Sequence, residues 1–404
     1  MYRQILSIFI LLFVSVLPVK ADVVTESSSK AVDVITAAKL PTPAGMRIVA
    51  TVQTAVYEAV NAITKRYPNG RFDLKASEGA SVPAAVAAAN RAVLLKMIPS
   101  EQEMIETDYK RALQTIPDGP AKSSGIQLGQ EAAAAVFAYR KDDIVENVES
   151  FRPATQPGIY VPTAIPVLSF WPKRKPWVML AANQFRPGPP PDLKSELWAR
   201  DYNEIKAMGA KIGSKRSDEQ TAIARFWETT GAAVYIPVIL SVANSQNREV
   251  TQNARLLAIV GQAMDDALIA VFDAKYAYNF WRPITAIRNG DIDGNDATER
   301  DPSWTPFIET PMHPEYPCAH CIVASTVGTV LKAELGNAQL PTLSSVSPTA
   351  PGVTRRWTSI DDFIREVSEA RICDGVHYRN STEVGTAMGK SVGELAYSKF
   401  PPRR

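Results

Sequence analysis

The sequence predicts an all-α protein built around a helical bundle. Apolar residues recur at intervals of three and four in several alanine-rich stretches, which is the spacing of one face of an α-helix. A segment from 248 to 281 runs for many turns without proline, and no run of alternating apolar residues argues for a substantial sheet. Because 46% of the 404 residues are apolar and 21% are charged, the chain can bury a large core.

The first 21 residues have the features of a secretory signal peptide. Arg3 precedes an apolar run of about 13 residues, which is shorter than the roughly 20 residues that cross a bilayer. We therefore expect cleavage near Ala21, a secreted or periplasmic location and no stable membrane insertion.

Net charge gives little reason to expect a charged macromolecular partner. The predicted signal peptide holds two of the 44 Lys and Arg residues and no acidic residue, so 42 basic residues face 42 acidic ones in the remainder. A net charge of zero does not call for nucleic acid or an anionic membrane surface. The oligomeric state is left open by the sequence, a homo-oligomer included.

Three regions are predicted after the signal peptide. Residues 22–150 form an N-terminal helical region, in which a stretch such as VQTAVYEAVNAI has the helical spacing. Residues 151–194 form an irregular connector, since ten of the 30 prolines lie there. Residues 195–404 form the helical domain that carries the site.

Caps and prolines predict where the helices of the last region begin and end. Ser217 and Gln220 have the spacing of a capping box at a helix start. The long helix is expected to stop at Pro283, because proline does not continue a helix. The other expected elements are helices from Pro317 to Gly336, from Ser359 to about Cys373 and from about Thr382 to Lys399, with a polar loop at 337–357.

Two cations stand near the end of the long helix. Lys275 and Arg282 are seven residues apart, which brings both side chains to nearly the same helical face. Taken alone they could be solvated surface charges, but the aromatic residues around them argue against a wet face. A buried pair of cations repels itself unless an anion lies between the two charges.

All three histidines of the chain fall in two short segments. His313 and His320 belong to HPEYPCAHC at 313–321, and His377 follows Arg371 by six residues across a glycine. A single histidine is more often a satisfied core residue than a ligand. A helix starting at Pro317 would, however, offer unpaired backbone N–H groups to an anion. Cations, a helix N-terminus and histidines together predict a pocket for an oxyanion.

These motifs resemble those of the vanadium-dependent haloperoxidases and the type 2 phosphatidic acid phosphatase superfamily. The flanking stretches FDAKYAYNFWRPITAIR and DGNDATERDPSWTPF are similar to the soluble bacterial haloperoxidase homologues. The resemblance implies a helical bundle core of the haloperoxidase and acid phosphatase type with an additional N-terminal helical region. The family pattern of Lys-x6-Arg-Pro, Pro-Ser-Gly-His and Arg-x5-His corresponds here to Lys275-YAYNFW-Arg282-Pro283, Pro317-Cys318-Ala319-His320 and Arg371-ICDGV-His377.

The same resemblance implies a cofactor, substrates and residue roles. Vanadate would be the cofactor, and hydrogen peroxide with a halide or small organic molecule would be the substrates. His377 would be the metal ligand, and Lys275, Arg282 and Arg371 would neutralise the equatorial oxygens. Lys275 would also make the bound peroxide electrophilic, and His320 would be the acid–base group beside the apical oxygen.

Four further positions are compared with the family pattern. His313 stands where the bromide-oxidising members carry a second active-site histidine, and it would tune peroxide protonation or halide access, or merely cap the loop. Cys318 replaces the serine that bonds an equatorial oxygen, and a thiol is a weaker donor. Ala319 replaces glycine beside the cofactor but keeps its N–H. Ser381 stands where an Asp often follows the ligand histidine by four, which removes a carboxylate near His377.

The three cysteines allow several interpretations. Cys318 and Cys321 form a C-x-x-C redox motif, but no β-α-β pattern supports a thioredoxin-like fold. A zinc site at Cys318, His320 and Cys321 is disfavoured, since three near neighbours in one turn cannot easily point at one ion. A structural disulfide between Cys373 and one of the other two cysteines is the remaining possibility.

The sequence therefore predicts a vanadate-dependent haloperoxidase and leaves two alternatives open. The first is a metal-free acid phosphatase in which His377 attacks phosphorus to form a phosphohistidine and His320 protonates the leaving oxygen. The second is an anion-binding protein without turnover, which the replacements at Cys318 and Ser381 suggest.

Overall fold

A computed structural model describes residues 21–68, 70–143, 151–162, 164–245, 248–400 and 402. The structure is mostly helical, with one two-stranded sheet in this part of the chain, which confirms the predicted all-α class. The predicted signal peptide lies outside these residues except for Ala21.

The helices and strands follow one another along the chain with short connections in most places. In the described part their order is α1 (Val23–Ala37), α2 (Thr42–Thr64), α3 (Val82–Met97), α4 (Gln102–Gln114), α5 (Pro120–Tyr139), α6 (Glu196–Met208), α7 (Asp218–Phe226), α8 (Ala232–Ala243), α9 (Val250–Tyr278), α10 (Pro283–Arg288), α11 (Ala319–Leu335), β1 (Leu343–Ser347), β2 (Ala350–Trp357), α12 (Ile360–Cys373) and α13 (Arg379–Ser398). Among the residues described, no single helix is both long and apolar enough to cross a bilayer. The helix α3 and the segment Pro99–Gln114, which are bent by 120° relative to each other, together have the length and composition of a membrane span.

Helix α9 is the centre of the molecule. It has 29 residues and is buried along nearly its whole length, because α2, α11 and α13 pack around it. The helix ends at Tyr278, because Asn279 takes a left-handed conformation with φ 49°, so it stops five residues before Pro283. The predicted long buried helix is confirmed, and its last turn carries Lys275.

The proline-rich connector is held to α9 by backbone hydrogen bonds. The carboxylate of Asp266 accepts the N–H groups of Trp177, Val178 and Met179 at 2.7 to 2.9 Å. The described residues from 151 to 195 form no helix longer than a 3₁₀ turn at Trp171–Lys173. At these three residues a buried acid thus takes the place of regular secondary structure in satisfying the backbone N–H groups.

Two helix starts and one loop differ from the expectations. Helix α11 begins at Ala319 rather than Pro317, because Cys318 keeps an extended backbone and caps the helix through its sulfur. Helix α13 begins at Arg379 rather than Thr382. The expected polar loop at 337–357 contains the hairpin of β1 and β2, whose buried positions include Ser345. The capping box at Ser217 is confirmed.

Glycines allow α13 to lie directly against α11. Gly385, Gly389 and Gly393 occur at intervals of four and so share one face of α13. A Cβ atom at Gly389 would lie 2.2 Å from the carbonyl oxygen of Ile322 in α11. This close approach fixes the position of α11, whose first turn carries His320.

Candidate active site

The structure brings the predicted site residues together from separate elements. Lys275 lies in the last turn of α9, Arg282 caps α10, His320 lies in the first turn of α11, and Arg371 lies in the last turn of α12. His377 follows the turn after α12. All five side chains are buried, and His320, at 7%, is the most exposed of them.

A glycine turn places Arg371 and His377 in the same pocket. Gly375 has φ +78°, and a Cβ atom there would lie 2.4 Å from the carbonyl oxygen of Gly209. Both the conformation and the contact favour glycine. The turn brings the backbone N–H of His377 to 3.3 Å from the carbonyl oxygen of Arg371.

Glu315 orients the predicted ligand histidine. Its Oε1 lies 2.7 Å from Nδ1 of His377 and also accepts the backbone N–H of Tyr378 at 3.2 Å. Because Oε1 is an acceptor for Tyr378, Nδ1 of His377 is assigned the proton, and Nε2 keeps its lone pair. The Nε2 atom lies 3.4 Å from Nη1 of Arg282. A ligand histidine held by a carboxylate on its other nitrogen is the usual arrangement at metal centres.

The carboxylate that the sequence predicted to be lost at Ser381 is thus supplied by another residue. Glu315 lies inside the stretch 313–321 and is its one acid. It is fully buried, and burial raises the pKa of its carboxyl to about 8, although Lys275 and Arg282 act in the opposite direction. Ser381 interacts with the same carboxyl. A partner 62 residues from His377 in sequence could not be found from local spacing.

Lys275 has three backbone partners that the sequence did not predict. Its Nζ donates to the carbonyl oxygens of Pro314, Glu315 and Pro317 at 3.1, 2.7 and 2.6 Å. These bonds use all three hydrogens of the ammonium group. In this arrangement Lys275 fixes the loop before α11 and contributes its charge to the pocket. A direct hydrogen bond to an equatorial oxygen of vanadate would require Lys275 to lose one of its hydrogen bonds to the carbonyl oxygens.

Arg371 is held by an acid and a carbonyl. Its Nη1 donates to the carboxylate of Asp374, which is fully buried, and to the carbonyl oxygen of Trp227 at 2.7 Å. Burial raises the pKa of Asp374 to about 7, and Arg371 opposes that rise. The Nε atom of Arg371 is buried and has no hydrogen-bond partner among the described residues. It remains available to an anion.

His313 lies at the edge of the pocket and is only half buried. Its Nδ1 lies 3.0 Å from Nη2 of Arg282, and its carbonyl oxygen accepts Nε of the same arginine at 2.9 Å. Phe272 contacts the imidazole edge to face, with ring centroids 5.2 Å apart. His313 therefore orients Arg282 in addition to closing the loop before α11.

The first turn of α11 faces the cations. Backbone N–H groups at the start of a helix have no intrahelical acceptor, which applies to Ala319 and His320. The Nε2 atom of His320 is buried and has no hydrogen-bond partner in the described part of the chain. Cys318 differs, since its N–H donates to the carbonyl oxygen of Ser381 at 3.1 Å.

The electrostatics of the pocket favour the binding of an anion. Burial lowers the pKa of His320 and of His377 well below the ordinary histidine value, and Lys275, Arg282 and Arg371 lower both further. Burial, followed by the charge of Arg282, lowers the pKa of Lys275 to about 7. A bound oxyanion would reverse these effects by stabilising the charged forms.

The buried donors of the pocket suit an oxyanion such as vanadate or phosphate. It offers three cations, the two unpartnered nitrogens of Arg371 and His320, and one imidazole nitrogen of His377 whose lone pair is directed by Glu315. Within the residues described, no group of three or more His, Cys, Asp and Glu side chains could hold a bare metal ion.

None of the three cysteines, all of which lie in the described part, is in a disulfide. The sulfur atoms of Cys318 and Cys321 are 2.7 Å apart. Cys373 instead neighbours charged residues such as Glu369, and its carbonyl oxygen accepts a hydrogen bond from Arg216. The structure thus contains no bridge from Cys373, and the close pair of sulfurs is the one within the C-x-x-C motif.

Comparisons with known proteins show which proteins this chain is similar to. Residues 255–401 match the family model described as the VCPO second helical-bundle domain. The vanadium chloroperoxidase of Curvularia inaequalis is 22% identical over 360 residues, a match that takes in 67% of this chain and 58% of that protein. The chain therefore spans less than two thirds of the length of this relative.

Solved structures match over more of the chain. A structure described as the first bacterial vanadium-dependent iodoperoxidase superposes with a TM-score of 0.80 and 23% identity, covering 94% of this chain and 96% of that one. Apo and holo bacterial vanadium-dependent chloroperoxidases give TM-scores of 0.72 and 0.71 at 18% and 17% identity, with 87% and 89% of this chain covered and 92% of each of theirs.

These findings confirm the predicted resemblance to the vanadium haloperoxidases. The chain has their helical fold, and over residues 255–401 it matches their second helical-bundle domain. At these identities the likeness establishes the fold, and the chemistry has to be argued from the pocket.

Proposed function

We propose that this protein is a vanadate-dependent haloperoxidase that oxidises halide, or a small organic molecule, with hydrogen peroxide. The observation that carries the proposal is the pair of Glu315 and His377 among three buried cations. The peroxidase names of its relatives support the same reaction class. We further propose a secreted or periplasmic location, on the basis of the N-terminal segment alone.

Each residue of the pocket has a distinct part in this proposal. His377 would hold vanadate through Nε2, and Arg282 and Arg371 would face its oxygens with forked donors. Vanadate, when bound, supplies a Lewis-acidic centre that activates hydrogen peroxide toward a nucleophile. His320 would accept and return protons at Nε2, because the bound anion raises its pKa from the low value that burial imposes.

Glu315 and Lys275 act through other groups. Glu315 holds the imidazole of His377 in the tautomer that leaves Nε2 free and increases its basicity. Lys275 fixes the three carbonyls before α11, and so positions the helix terminus that carries His320. The predicted phosphatase alternative has no comparable support, since the named relatives are peroxidases.

Turnover of halide by the purified protein tests the proposal. Iodide, bromide and chloride are each supplied with hydrogen peroxide, with and without orthovanadate, and with phosphate as a competitor. We expect turnover that requires orthovanadate, is suppressed by phosphate and is abolished by H377A. The variant K390A, changed at an exposed position of α13, serves as the control and should keep full activity.

The opposite result would be equally informative. Hydrolysis of a simple phosphate ester that orthovanadate inhibits, without halide turnover, would replace the peroxidase by the phosphatase. Undiminished turnover by H377A would show that the site is elsewhere. Tight orthovanadate binding with neither activity would leave the anion-binding alternative.

A further inference from the structure

Two cysteines at the start of α11 have no part in the proposed reaction as a pair. The Sγ atoms of Cys318 and Cys321 lie 2.7 Å apart, with the Cys321 thiol donating to the Cys318 sulfur. The backbone N–H of Cys321 also donates to that sulfur, at 3.3 Å. Both side chains are fully buried. The sulfurs therefore already face one another in the reduced protein.

The geometry suits a covalent bond between these sulfurs. A disulfide requires sulfurs ~2.05 Å apart, so the two atoms need to approach by less than about 1 Å. Cys318 is the N-cap of α11, and Cys321 is the third residue of its first turn. A bond between them would close one helical turn without moving another element.

The surroundings make Cys318 the more reactive of the two. Burial opposes its ionisation, but the hydrogen bond from Cys321 and the charge of Arg371 outweigh burial and lower the pKa of Cys318 to about 7. Burial and the neighbouring Cys318 raise the pKa of Cys321 above its ordinary value. Burial raises the pKa of Cys373, the third cysteine, to about 12. Thiolates are the nucleophilic form of cysteine, and cationic surroundings favour them.

We propose that hydrogen peroxide oxidises Cys318 and Cys321 to a disulfide inside the oxyanion pocket. The inference rests on the proposed function only in that peroxide must enter this pocket. The Cys318 thiolate attacks one peroxide oxygen, the O–O bond breaks, and a sulfenic acid and hydroxide form. The Cys321 thiol then attacks that sulfur, the S–S bond forms, the S–O bond breaks, and the proton and hydroxide leave as water. In total, two thiols and one peroxide give one disulfide and two water molecules.

The pair protects a site that handles an oxidant. A sulfenic acid without a resolving thiol is oxidised further to sulfinic and sulfonic acids, which are not readily reversed. Cys321 stands within contact of Cys318 and intercepts the first oxidation product. The resulting bond encloses His320 in a closed helical turn and can be reopened by a reductant.

Counting thiols in the full-length mature protein tests the inference. The reduced protein is freed of reductant and treated with a small excess of hydrogen peroxide, without orthovanadate or halide. We expect free thiols to fall from three to one, with the loss of two hydrogens in the intact mass and a peptide linking Cys318 to Cys321. A thiol reductant should restore all three thiols.

Two variants make the test specific. In C321S the sulfenic acid has no resolving thiol, so Cys318 should gain two or three oxygens on the same treatment. In C373S, the matched control, the two remaining thiols should both be lost to the same linkage. If a variant does not fold, peptide mapping of the unaltered protein decides the question by itself.

Failure of this inference can be told apart from failure of the proposed function. Three thiols that survive peroxide, or a linkage that includes Cys373, would overturn the disulfide. If such a protein still oxidises halide with orthovanadate, the haloperoxidase proposal stands without the disulfide. A Cys318–Cys321 linkage in a protein without halide turnover supports the disulfide and counts against the haloperoxidase.

Discussion

At the scale of single residues, Glu315 decides how well His377 serves as a ligand. Above pH about 8, where the carboxyl of Glu315 is ionised, the variant E315Q keeps the side-chain shape but removes the charge that polarises the imidazole through Nδ1. Because outer partners of metal-ligating histidines affect binding strongly, we expect orthovanadate to bind about 10–100-fold more weakly. Calorimetric titration measures this loss without relying on turnover. The control E309Q changes a nearby exposed acid and should bind orthovanadate as tightly as the unaltered protein does. An equal loss of affinity in E309Q would show that Glu315 has no specific role in orthovanadate binding.

The charge of Lys275 predicts how anion binding depends on pH. Burial and Arg282 lower its pKa to about 7, so the ammonium is charged below that pH and loses its proton above it. Burial raises the pKa of Asp374 to about 7 and that of Glu315 to about 8, so these carboxyls gain negative charge over the same interval. All three changes make the pocket less positive as the pH rises.

We therefore expect the affinity for an anion to fall as the pH is raised above about 7. Sulfate is the suitable probe, because its own charge is constant over this range. The contribution of Lys275 alone is at most about tenfold per pH unit. The variant K275Q should bind sulfate more weakly at low pH. Its affinity for sulfate should also fall less steeply as the pH rises, because only the carboxyls of Glu315 and Asp374 then change charge. An unchanged slope in K275Q would mean that Lys275 does not titrate in this range.

At the scale of the elements, the packing of α13 on α11 positions the first turn of the site. The variant G389A would put a Cβ atom against the carbonyl oxygen of Ile322, so the two helices must separate. Overpacking of this kind costs about 1–3 kcal/mol in the free energy of unfolding. Urea unfolding measures the cost. The neighbouring exposed change K390A should stay within about 0.5 kcal/mol. Equal stability of the two variants would show that the helices can adjust freely.

The elements also show which parts of the fold local sequence can predict. Helix α9 was predictable, because a long apolar run without proline has few alternatives. The hairpin of β1 and β2 was not, since the buried Ser345 replaces the apolar residue that alternation requires and is satisfied by the carbonyl oxygen of Val234. The start of α11 was misplaced because cysteine is an unusual cap, whereas proline is common in a first turn.

Within the site, the motifs identified the groups but not their partners. Lys275 was predicted to face the anion from its spacing to Arg282, yet its three carbonyl acceptors lie 39 to 42 residues further along the chain. The acid that holds His377 is likewise remote in sequence. Periodicity assigns a residue to a helical face, whereas long-range hydrogen bonds depend on how loops pack, which spacing does not encode.

At the scale of the whole molecule, a buried ion pair ties the N-terminal helices to the helix that carries Lys275. Nη1 of Arg47, in α2, donates to Oδ2 of Asp265, in α9, at 3.0 Å. Trp177 of the connector donates its indole N–H to the same oxygen at 2.7 Å. Arg47 and Asp265 are buried, so removal of the acid leaves a cation and an indole N–H without this acceptor.

We expect D265A to lower the free energy of unfolding by about 1–3 kcal/mol, because the buried indole N–H of Trp177 loses its acceptor while Arg47 keeps its ion pair with Asp143. The matched control D273A removes another acid of α9, whose ion pair with Arg186 is partly exposed. It should lower the free energy of unfolding by less than about 1 kcal/mol. Thermal unfolding followed by tryptophan fluorescence, with and without orthovanadate, measures both.

Since α2 packs along α9, D265A should still unfold in one transition, and orthovanadate should raise its midpoint. Two transitions, with only the higher one responding to orthovanadate, would instead mean that the N-terminal helices and the site unfold independently.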